Sequence, residues 1–216
     1  MNISDIRKEF PIFDDKIQNN DLVYLDSANS SQKPRVVVDR IYDFYTKEFS
    51  NVGRSVHYLA VAATNLYEQT RVSVQKYINA KDKDEIVFTK GATEAINLVA
   101  NTFGQKYLSE GDEVLLTELE HHSNYVPWHF LRKAKNIKIE FAEINNDGEV
   151  TLEAIEKKIT NKTKIISVSH LSNVTGAILP IKQIVQLAHS KNIPVLIDGC
   201  QGAPHLKLDM QDIDCD

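Results

Sequence analysis

The sequence predicts an α/β fold, a mostly parallel sheet covered by helices on both faces. Three observations predict it. From residue 85 onward, short apolar runs alternate with longer segments whose apolar residues recur every three or four positions. Runs such as Val114-Leu-Leu116 and Val195-Leu-Ile197 are unbroken, the pattern of strands buried on both faces. Finally, Asp198 directly follows the last run, and open α/β sheets bind ligands beyond the carboxyl ends of their strands.

Residues 5–13 read as a short helix stopped by Pro11. Residues 22–25, Leu-Val-Tyr-Leu, read as a strand followed by the turn-rich stretch 26–34. Helical spacing covers 36–49 and 60–78. The alternation then runs strand 85–88, helix 93–107, strand 113–116, helix 124–135 and strand 137–141. It continues with helix 152–159, strand 163–168, helix 181–191 and strand 193–197. Residues 1–20 are expected to form an N-terminal segment and 21–216 one large domain. Ligand chemistry is expected in the loops 90–93, 118–124, 170–176 and 198–201.

Of the 216 residues, 42% are hydrophobic and 25% charged, ordinary values for a soluble globular protein. The net charge of −5 offers no basic surplus for nucleic acid as the main partner. No apolar run is long enough to span a bilayer, so no membrane partner is expected. The start, Met1-Asn-Ile-Ser-Asp-Ile-Arg-Lys8, carries acid and base where a signal peptide needs an apolar core. Cytoplasmic residence is the expectation. The spacing of Cys200 and Cys215 matches neither a metal knuckle nor a redox pair, and both are expected to be reduced thiols.

Gly91 and Thr93 join a strand to a helix. Free amides and the dipole at a helix start favour an anion, and the Thr93 hydroxyl adds a donor, although the same residues also serve as an N-cap. Neither the dinucleotide-binding nor the P-loop glycine pattern is present, which disfavours an NAD or nucleotide binder. His121 follows a strand and can stack on an aromatic ring and move protons, or simply cap a helix. With no His-Glu-x-x-His, and with His121 and His122 pointing oppositely on extended backbone, no metal site is expected. Asn173 offers an amide to a ring oxygen, or closes its own turn. Asp198 can hold a protonated ring nitrogen or cap a turn, and Gln201 lies three residues on. The combination points to pyridoxal 5'-phosphate (PLP), whose protonated ring is an electron sink.

Together these segments resemble the class V aminotransferase-like PLP enzymes, and most nearly the SUF-type cysteine desulfurases and selenocysteine lyases. The matching stretches are Tyr24-Leu-Asp-Ser-Ala28, Arg54-Ser-Val-His57, Gly91-Ala-Thr-Glu94, Ile96-Asn-Leu-Val-Ala100 and Glu120-His-His-Ser-Asn124. Val126-Pro-Trp128, Ser169-His-Leu-Ser-Asn-Val-Thr-Gly176, Asp198-Gly-Cys-Gln201 and Asp212-Ile-Asp-Cys-Asp216 complete the set, in the family's order. The resemblance implies the large domain of the fold type I PLP-dependent transferases. It implies that Ala92 and Thr93 hold the phosphate, that His121 stacks on the ring and assists proton transfer, and that Asn173 and Gln201 contact the ring oxygen. Asp198 then pairs with the ring nitrogen. Ala28, Asn29 and Arg54 fall where family members approach the substrate, Arg54 in a segment that reaches a homodimer interface in relatives.

The implied reaction converts L-cysteine to L-alanine and leaves sulfur as an enzyme persulfide. That sulfur passes to an acceptor protein of iron–sulfur cluster assembly. A selenocysteine lyase, another class V lyase, or a non-catalytic paralogue acting only through binding are the alternatives. Asn29 stands where Ala is usual, Gly53 where SUF-type enzymes often have His, and Cys200 where Ala is usual. The family's Ser-x-His-Lys motif, catalytic-cysteine loop and carboxylate-clamping arginine find no match in residues 1–216. The C-terminal part of the fold, including the small domain, is therefore expected to be missing. These residues alone are expected to be inactive as a desulfurase and to associate through an unpaired sheet edge.

Overall fold

Residues 2–216 are described by the structure, a computed structural model. Met1, the first residue of the expected segment 1–20, lies outside them. Close contacts divide the chain into two units, Met1–Ser73 and Val74–Asp216.

In the first unit, helix α1 (Ile3–Lys8) starts at Asn2, whose side chain accepts from the Ser4 amide. It ends earlier than expected, and Pro11–Phe13 form a separate 3-10 turn. A small hairpin follows, β1 (Lys16–Ile17) against β2 (Asn20–Asp21). Its two-residue loop, Gln18 and Asn19, has positive φ at both positions, as such tight hairpins require. The expected strand 22–25 is not formed. The hairpin closes upstream of it, the ladder ends at Asp21, and Val23 and Leu25 are exposed. Helix α2 (Arg35–Asp43) runs on through a π turn, Phe44–Glu48. Helix α3 (Tyr58–Tyr77) follows and carries the chain into the second unit.

The second unit holds the sheet. Helix α4 (Ala92–Val99), a π turn (Ala100–Gly104) and the short α5 (Gln105–Tyr107) together fill the expected helix 93–107. Strand β3 (Glu113–Thr117), helix α6 (His122–Lys135), β4 (Lys138–Ala142), α7 (Leu152–Lys158), β5 (Thr163–Ser169), α8 (Ile181–His189) and β6 (Val195–Asp198) then alternate as expected. Two short helices close the chain, α9 (Gly202–His205) and α10 (Met210–Ile213). The strands are all parallel, in the order β4-β3-β5-β6. The expected strand 85–88 is extended at Ile86, but no strand of this sheet pairs with it.

Successive residues of one strand enter different cores because side chains alternate across a sheet. Val114 and Leu116 pack with Trp128 and Leu131 of α6 and with Ala100. Leu115 between them joins Ile155 of α7 and Ile184, Val185 and Ala188 of α8. Ile165 belongs to the first cluster, and Ile166 and Val168 to the second. Both faces are thus covered. Burial of each such Leu, Ile or Val contributes about 1.5–3 kcal/mol. The result is a stiff platform whose strand exits all lie along one rim.

Candidate active site

Three strand exits meet at that rim. Strands β5 and β6 pair in register with Ser169 opposite Asp198, and the His170 amide donates to the Asp198 carbonyl at 2.9 Å. The β3 exit joins them through Glu120. Its Oε1 accepts from the Ser169 amide at 3.0 Å and its Oε2 from the Ser169 hydroxyl at 2.8 Å. Thr117 donates to Oε1 at 2.6 Å, and Asn124 Nδ2 to Oε2 at 2.7 Å. Burial pushes the Glu120 carboxyl above its ordinary value, and the bonds from Thr117, Asn124 and Ser169 pull it back only partly.

His121 caps α6. Its Nδ1 accepts from the Ser123 amide at 3.2 Å and lies 2.8 Å from the Ser123 hydroxyl. With Nδ1 engaged as an acceptor, the neutral ring carries its proton on Nε2. The ring is exposed to solvent.

Asp198 ends β6 and is 7% exposed. One oxygen accepts from the Cys200 amide at 3.0 Å, which leaves acceptor capacity on the carboxylate. Gln201 is the N-cap of α9 and is half-buried. Gly202 is a required glycine: a Cβ there would lie 2.8 Å from Nδ1 of His170. That close approach seats the α9 start on the β5 exit.

Asn173 stands exposed at the tip of a loop built on Ser172, which is buried. The Ser172 hydroxyl accepts from the amides of Val174 and Thr175, and its carbonyl from Gly176. At the start of α4, Gly91 has φ +154°, a conformation that L side chains rarely adopt. The first-turn amides of Ala92 and Thr93 have no partner within the helix, and Thr93 is exposed. Ala92 and Thr93 lie on α4, which packs on α6.

Ala28, Asn29 and Arg54 belong to the first unit. Asn29 lies in a turn whose amide donates to the Asp26 carbonyl at 3.2 Å. Arg54 is exposed beside Gly53, whose amide donates to Thr64 of α3 at 3.0 Å. A cavity of about 330 Å³ also opens on the β4 side of the second unit's rim. Thr117, Glu120, His122 and Phe141 are among its walls, and His121, Asn173 and Asp198 are not.

Sequence reasoning missed the Glu120 network. The polar residues that make it, Ser167 and Ser169, alternate with apolar residues in the buried second half of β5.

The donor set fits a phosphorylated pyridine. Free helix-start amides suit the phosphate, a buried carboxylate suits a protonated ring nitrogen, and a fixed imidazole suits a ring face. Among the described residues, no group of three or more His, Cys, Asp or Glu is arranged to hold a metal.

Residues 23–216 match the aminotransferase class-V family, and the chain belongs to it. It is similar to a probable cysteine desulfurase of Halalkalibacterium halodurans, 44% identical over 216 residues, covering 100% of this chain and 53% of that protein. A probable cysteine desulfurase of Staphylococcus epidermidis is 46% identical over 209 residues, 97% of this chain and 51% of that one. Among solved structures, the apo cysteine desulfurase from Thermococcus onnurineus superposes with a TM-score of 0.91 at 34% identity, over 100% of this chain and 52% of that one. A cysteine desulfurase from Escherichia coli gives 0.87 at 35% identity, over 100% and 53%. The fold is that of the fold type I PLP enzymes. The chain spans about half the length of these relatives.

Proposed function

We propose that this chain carries the cofactor-holding half of a PLP-dependent cysteine desulfurase. The observation that carries the reading is Asp198, a buried acid at the exit of β6, in register with Ser169 and hydrogen-bonded to the β5 exit and its own loop. When bound, PLP supplies an electron sink for charge developing at the substrate α-carbon.

The residues divide the work. Ala92 and Thr93 bind the phosphate through amides and a hydroxyl at the positive end of α4. Asp198 keeps the ring nitrogen protonated, since an opposite charge at hydrogen-bond distance favours the charged form. Asn173 and Gln201 orient the ring by donating to its oxygen. His121 covers one face of the ring and, with Nδ1 occupied by Ser123, moves a proton at Nε2. Ala28, Asn29 and Arg54 contact the amino acid substrate, L-cysteine. In the whole enzyme the products are L-alanine and a cysteine persulfide, which passes sulfur to an acceptor protein of iron–sulfur assembly. A homodimer is the assembly proposed for the full-length form.

Trp128 is the sole tryptophan and reports on α6. Titrating PLP into the protein is expected to quench its fluorescence saturably. The Asp198→Asn variant is expected to bind about tenfold or more weakly, a loss of at least one charge-assisted hydrogen bond. Equal affinity in wild type and variant would sink the assignment.

A further inference from the structure

We propose that Glu120 is a positioning residue, whose carboxylate ties the β3 exit, the α6 start and the β5 exit into one rim and so fixes His121 relative to Ser169 and Asp198. The inference rests on reading the strand exits as a PLP site.

The geometry is specific. Glu120 and Asn124 flank His121 and Ser123, and both are staked to β5. Glu120 accepts from Ser169, and Asn124 Oδ1 accepts from the hydroxyl of Ser167 on the same strand. Asn124 Oδ1 also takes the indole N–H of Trp128 at 3.4 Å. The segment that carries the imidazole is therefore held at both ends by the strand whose last residue pairs with Asp198.

The chemistry is specific as well. All four contacts to Glu120 come from donors: the Thr117 hydroxyl, the Ser169 amide, the Ser169 hydroxyl and the Asn124 amide. The Ser169 amide cannot reverse its role. Nor can Asn124 flip without losing Ser167 and Trp128. A glutamine at 120 must place an NH₂ against one of them. An aspartate at 124 removes the conflict, because its second oxygen accepts from that NH₂ while the first still takes Ser167 and Trp128. Glu120→Gln is thus a defined mismatch, and Glu120→Gln/Asn124→Asp a matched swap with the same number of carboxylates.

Three readouts on the protein test this: Trp128 emission, the imidazole ¹H–¹⁵N signals of His121 without ligand, and PLP affinity. Glu120→Gln is expected to move the first two and weaken PLP binding about tenfold. The swapped double variant is expected to return all three toward wild type. Glu120 is only a structural residue, and the proposal fails, if the single variant lowers the melting temperature but leaves His121 and PLP affinity unmoved. It fails equally if the swap recovers nothing. Should Glu120→Gln not fold, Ser169→Ala, which deletes one donor, is read by the same signals. If wild type does not bind PLP, the functional reading falls, while the ligand-free His121 spectra still decide the role of Glu120.

Discussion

Glu120 keeps its carboxylate where a charge is disfavoured, and this gives stability a pH signature. Burial holds its pKa above the ordinary 4.5. Between that value and the raised one, the folded chain keeps a proton that the unfolded chain has lost. Glu120 therefore adds stability at acid pH that disappears as pH rises through the folded pKa. The melting temperature of wild type minus that of Glu120→Gln is expected to fall as pH rises from 4.5 through the raised folded pKa. A difference that stays flat or grows would contradict the assignment. At this scale the sequence was partly legible. The positions of Asp198, His121 and Asn173 at or beyond strand ends could be read, because the strands before them are marked by apolar runs. The Glu120 network could not, because Ser169, the partner of Glu120, and Ser167, the partner of Asn124, come from a strand that only the fold brings alongside.

The long helices and the four strands of the parallel sheet were read well, and two expected strands that find no partner were not. Each long helix announces itself by apolar spacing within its own residues. Residues 22–25 and 85–88 have strand composition, yet a strand exists only with a neighbour to share its hydrogen bonds. The hairpin turn at Gln18 and Asn19 takes pairing away from the first of these. Packing between elements was equally hidden. Gly104 sits where the π turn of the α4 segment meets α6, and a Cβ there would lie 2.6 Å from Leu131 Cδ2 and 3.4 Å from Trp128. Gly104→Ala is expected to cost about 1–3 kcal/mol through overpacking, with Leu131 yielding first. Chemical denaturation measures this, and an unchanged midpoint would show that the contact relaxes freely.

For the whole molecule, the family follows from residues spread along the length of the chain, which spans about half the length of the curated relatives it matches. Residues 1–216 hold the cradle assigned to PLP but no match to the family's cofactor-anchoring lysine motif. Assayed by themselves they are expected to release no alanine from cysteine above the rate of free PLP. Release at the rate of a full-length desulfurase would require another residue to anchor the cofactor. The most direct test of the cradle itself is ¹⁵N NMR of PLP labelled at its ring nitrogen and bound to this protein. The account predicts a protonated pyridinium signal in wild type near neutral pH, lost in Asp198→Asn. An unprotonated ring nitrogen in the wild-type complex would contradict it.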